Sequence, residues 1–90
     1  MNTLLVGYDL NKPAQNYAGL IEALKSHGTW WHHLDSTWFI RTTRTPSQLR
    51  DELMELIDAN DELLVMNVSG DVWATSGLPQ RANDWLRENA

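Results

Sequence analysis

Asp9 ends the apolar run Leu4-Leu5-Val6-Gly7-Tyr8 and is the residue of this 90-residue chain best placed to do chemistry. Buried strands read as continuous apolar runs. A carboxylate at the mouth of one faces water, a partner or a cation, or else caps the turn that follows. The histidines offer less. His32 and His33 adjoin in an aromatic stretch that reads as a strand, so their side chains point to opposite faces and do not chelate one ion together. His27 follows a helical pattern, and a three-histidine metal site would need convergence from separate elements. Ser36 stands beside Asp35 and near His33, but a hairpin turn uses Asp and Ser for local backbone bonds and nothing places a base behind the hydroxyl. Gly70 and Gly77 fit neither G-x-G-x-x-G nor G-x-x-x-x-G-K-[ST], which argues against a phosphate-cradling loop. Trp30, Trp31 and Trp38, with Arg41 and Arg44 near them, have the types needed to stack and hold unpaired bases. The same alternating aromatics suit a core or a dimer interface, and that reading is favoured.

Composition sets bounds on these chemistries. The net charge of −5 argues against an indiscriminate nucleic-acid coat, because such binding comes from Lys and Arg neutralising phosphates. The charge is uneven: residues 36–50 carry Arg41, Arg44 and Arg50 with no acid, and residues 51–62 carry six acids with no base. Both blocks read most simply as the solvated side of an amphipathic helix and its leading loop, with a local basic face as the alternative. Five tryptophans are too many for a small core to hide, which predicts that some lie at an interface between two copies. The absence of cysteine excludes disulfides and thiolate metal sites. No apolar run approaches the roughly 20 residues that span a bilayer, and no signal-peptide pattern opens the sequence, so the expectation is a cytoplasmic protein with no membrane partner.

The elements that must position Asp9 form one domain over residues 1–90, with a core at 3–68 and an extension at 69–90. Residues 3–8 read as a buried strand. Tyr17, Leu20, Ile21 and Leu24 recur at helical spacing and predict a helix over 14–27, stopped by Gly28. Trp30–Leu34 and Thr37–Arg41 predict two antiparallel strands joined at Asp35-Ser36. Thr45-Pro46-Ser47-Gln48 has the chemistry of a capping box with proline at the first helical position, so a second helix runs from there to about residue 58. Leu63–Met66 reads as another strand and Val72–Ala74 as an edge strand. Pro79 opens a final helix anchored by Trp85, with Ala82 and Leu86 also buried. Strand, helix, strand, strand, helix, strand is the α+β, ferredoxin-like arrangement, an antiparallel sheet with helices on one face, here with a C-terminal helix added. Its other face must be solvated, covered by the C-terminal segment or buried against a second copy.

With these elements in place, the chain resembles the small CRISPR-associated adaptation nucleases of the Cas-two superfamily, with their SinR-like and virulence-associated D relatives. The carriers are Leu4-Leu5-Val6-Gly7-Tyr8-Asp9, the pair Trp30-Trp31-His32-His33-Leu34 and Ser36-Thr37-Trp38-Phe39-Ile40, and Asn60-Asp61-Glu62-Leu63-Leu64-Val65. The resemblance implies a bacterial homodimer in which Asp9 of both copies holds Mg or Mn at a shared cleft and cleaves RNA or DNA phosphodiesters. Tyr8 matches that family's Tyr-Asp pair and, with Arg41 and Arg44, is a candidate nucleic-acid contact; the aromatic surplus makes Trp30, Trp31 and Trp38 the candidate dimer interface. The chain departs from that family in its scarcity of basic residues and in ending on a helix rather than on a dimer-crossing strand. The alternative is a non-catalytic dimeric adaptor of the same fold, with a protein partner and Asp9 as a strand cap.

Overall fold

The computed structural model describes residues 1–11 and 17–90. In chain order the elements are β1 (Asn2–Asp9), α1 (Ala18–Lys25), β2 (Thr29–Leu34), β3 (Thr37–Thr42), α2 (Pro46–Met54), β4 (Glu62–Asn67) and α3 (Gln80–Asn89). The four strands form one sheet in the order β2-β3-β1-β4, antiparallel at every step. This small α+β architecture is consistent with the expected ferredoxin-like arrangement. The expected start of the first helix, at 14–16, lies outside the described residues.

Alternation along the strands divides the side chains between two faces. On one, Leu4 and Val6 of β1 and Trp38 and Ile40 of β3 pack against Leu20 and Leu24 of α1 and Leu49 and Leu53 of α2, all fully buried. Gly28 ends α1 with φ +85°, a left-handed conformation that costs glycine little. Thr45 starts α2: its hydroxyl accepts from Gln48 N at 3.2 Å, and Gln48 Oε1 accepts from Thr45 N at 2.9 Å. The helix is shorter than expected. Leu56 N donates to Leu53 O at 3.0 Å, tightening the chain into a turn, and from that turn Leu56 and Ile57 still reach the core.

The second face is half covered. α3 lies over its β2 and β3 side, where Trp31 is buried with Ala82 and Leu86 and donates its indole N–H to Ala82 O at 3.1 Å. Ala82 and Leu86 are buried as expected, and Trp85, half-buried, packs on the edge of the same cluster beside Phe39. The Val72–Ala74 segment is not a strand. Asp71 N donates to Val68 O at 3.2 Å across a turn that holds Gly70 at φ +76°, and this turn leads the chain off the sheet. On this face Thr3 of β1 is buried beside the end of α3 and Leu5 is half-buried, whereas β4 is left uncovered, with Leu64 at 54% and Met66 at 48% exposure.

Candidate functional site

Asp9 is the last residue of β1 and is exposed, on the half-open face of the sheet. Its register partner on β4 is Glu62, also exposed, so two carboxylates stand opposite each other at one end of the sheet. They border a shallow cleft of about 290 Å³ whose lining includes Gly7, Tyr8, Leu63 and Leu64. Like charges directly across a strand pair are destabilising, and among the described residues no cationic side chain lines this cleft. Among the described residues no group of three or more His, Asp and Glu gathers where a metal could bind. Oxygen ligands of this type suit Mg or Mn, which take one or two carboxylates and complete their shells with water or phosphate. Asp9 and Glu62 meet that requirement chemically and are the residues that would hold such an ion.

The other expected site residues are drawn elsewhere. Tyr8 points to the opposite face from Asp9, where its hydroxyl accepts the Trp38 indole N–H at 3.0 Å. Arg41 is half-buried and ties down the end of α3: its Nη1 donates to Asn89 O at 2.7 Å and to Thr3 Oγ1 at 3.0 Å. Thr3 Oγ1 also donates to Asn89 O. A cation on the last carbonyls of a helix complements the dipole there. Arg44 pairs with Glu52 at 3.3 Å, and Glu52 also contacts His27 Nε2 at 2.9 Å. The structure therefore keeps Tyr8 in the wall of the Asp9 cleft, with its hydroxyl turned to Trp38, and does not bring Arg41 or Arg44 there.

The three tryptophans given to a dimer interface do not share a face. Trp38 is fully buried under α1 and α2, and Trp31 is 2% exposed under α3. Trp30, at 38% exposure, lies on the side of Trp38, 5.3 Å from it between ring centroids, and carries the Lys25 ammonium over its ring. Two of the three are thus part of the chain's own core. His32 stacks on Trp38 while His33 meets the edge of Trp31, so the two histidines point to opposite faces. Burial, with Arg81 and His32 nearby, holds the His33 imidazole below its usual value.

Two features escape a reading of the sequence alone. Glu62 faces Asp9 only because of the β1–β4 register, which spacing does not reveal. Asp61, next to Glu62, ties down the chain just past Asp9, accepting Asn11 N at 2.8 Å, Tyr17 Oη at 2.9 Å and Asp58 N at 2.8 Å. The signal for it was the Asp58-Ala59-Asn60-Asp61 turn chemistry, which marks a loop but not the loop's distant partners.

No family model matches the chain, and neither the curated proteins nor the solved structures contain a match. No helix among the described residues is long and apolar enough to cross a membrane.

Proposed function

We propose that this chain is a homodimeric, non-catalytic binding module of ferredoxin-like topology that engages a protein partner through the open half of its sheet. One observation carries the reading. The exposed Leu64 and Met66, with the half-buried Leu5 beside them, are rimmed by the acids Asp9, Glu62 and Asp71, while the arginines expected to hold phosphate are occupied, Arg41 at α3 and Arg44 at Glu52. An apolar strip with an acidic rim is complementary to a protein surface that offers apolar side chains flanked by Lys or Arg. It repels a polyphosphate backbone, as does the net charge of −5.

The second reading, a Cas-two-like nuclease, is favoured by one feature, the placement of Asp9 and Glu62 as neighbours on an accessible face. Mg or Mn held there would polarise a phosphate and activate water. Asp9 and Glu62 would supply the oxygen ligands, and face-to-face packing of two copies would be needed to bring the Asp9 residues together.

Labelled single- and double-stranded RNA and DNA, incubated with the pure protein and Mg or Mn, test the two readings. The binding module predicts neither cleavage nor a gel shift, and no difference between wild type and Asp9→Asn. Metal-dependent cleavage by the wild type that Asp9→Asn abolishes would overturn it.

A further inference from the structure

We propose that two copies join through their β4 edges, antiparallel, about a two-fold axis passing between the two Val65 residues, to give one continuous eight-stranded sheet. This deepens the dimeric reading above, on which it rests, by naming the surface.

The two edges of the sheet differ. β2 is interrupted by a register shift between Trp31 and Leu34, and Lys25 stands over its Trp30. Bulges and lysines are the usual means by which an edge strand is kept from pairing. β4 carries neither. It follows β1 through six consecutive pairs without a shift, and Glu62-Leu63-Leu64-Val65-Met66-Asn67 has no Lys, Pro or Gly and one charge, at its first residue. Shallow clefts of about 290 and 260 Å³ flank the strand near Leu63 and Leu64, one beside Asp9 and one between the strand and Pro46, Ser47 and Arg50 of α2.

The backbone makes this edge self-complementary. Val68 N donates to Thr3 O at 2.9 Å, which turns the even-numbered residues of β4 toward β1. In an antiparallel ladder the alternate residues then face the other way. Leu63, Val65 and Asn67 thus present N–H and C=O groups to the free side, spaced evenly about Val65. A second copy centred on Val65 offers the same three residues in reverse, so Leu63 meets the partner's Asn67 and each Val65 meets the other. Every outward group then finds a donor or acceptor. Leu64 falls opposite the partner's Met66, placing apolar side chains together on the open face, and the lone charge Glu62 falls beyond the three bonded pairs. An extended peptide of other sequence would satisfy the same amides, but only a second copy brings a matching Leu–Met pairing by symmetry. The dimer also separates the two Asp9 residues by roughly 25 Å, from strand spacings and rise, so it excludes a metal shared between them.

The chain has no cysteine, which permits a test of register. Leu64→Cys and Met66→Cys are made separately, at exposed side chains. Mixed in equal amounts and oxidised, they should form a disulfide-linked dimer many times faster than either protein alone. In parallel, Leu64→Lys/Met66→Lys should run as a folded monomer by light scattering and circular dichroism where the wild type is a dimer. Equal cross-linking rates for the mixture and for Leu64→Cys alone would overturn the Val65-centred register. A wild-type dimer untouched by the lysine pair would overturn the β4 surface while leaving the dimeric reading standing. A wild type that is monomeric at tens of micromolar would overturn both.

Discussion

Arg41→Ala separates a structural arginine from a nucleic-acid contact. The substitution removes two hydrogen bonds from a charged donor, to Asn89 O at 2.7 Å and to Thr3 Oγ1 at 3.0 Å. A hydrogen bond to a charged group contributes about 1.5–3 kcal/mol. The guanidinium is half-exposed, and the Thr3 hydroxyl still reaches Asn89 O, so water and that contact recover part of the loss. The expected destabilisation is about 1–2 kcal/mol. In a domain of this size each kcal/mol moves the melting temperature by about 4–8 °C, so a fall of roughly 5–15 °C is expected. The assay is urea and thermal unfolding followed by tryptophan emission. Because α3 covers Trp31, a red shift in native buffer should accompany the loss as that helix loosens. Arg41→Lys keeps the charge but offers a compact ammonium in place of the planar fork, and should recover only part of the stability. An Arg41→Ala protein with unchanged unfolding and a weakened affinity for RNA or DNA would refute the reasoning and restore Arg41 to a binding role.

Other outcomes follow from local chemistry. Thr45→Ala should cost about 0.5–2 kcal/mol in chemical denaturation, because it leaves the first turn of α2 without its cap; Pro46→Ala should cost less. His33 is held below its usual protonation range, so the folded state resists a proton that the unfolded state accepts near pH 6.5. Its contribution to stability is complete above that pH and is lost as pH falls through the lowered folded value; His33→Gln should flatten the thermal-stability profile between pH 8 and pH 5. Asp9→Asn should melt at the same temperature or higher, since it relieves like-charge opposition with Glu62. A lower melting temperature would instead identify Asp9 as a structural cap.

The order and type of the six core elements were legible because each carries its own local chemistry. Thr45 and Gln48 form the box that their spacing suggests, Gly28 takes the left-handed φ its position after Leu24 demands, and Asp35-Ser36 joins two paired strands. What covers each face was not legible, because period-2 alternation assigns residues to a face without naming the element that lies over it. The aromatic surplus therefore pointed to an interface, whereas Trp31 is sealed by a C-terminal helix held through Thr3 and Arg41, residues distant in sequence from Asn89. The same limit applied at Val72-Trp73-Ala74, whose composition suits a strand but whose preceding turn at Gly70 directs it away from the sheet. At the candidate site, Asp9 stood out because an acid ending an apolar run is unusual. Its partner Glu62 depends on a pairing between strands more than fifty residues apart, which one sequence does not display.

The central claim is that this chain is completed by a second copy of itself. The solution mass of the purified wild type, measured by light scattering across a concentration series, tests it most directly. The account predicts the mass of two chains at tens of micromolar, with dissociation only on dilution; a single-chain mass throughout that range would contradict it.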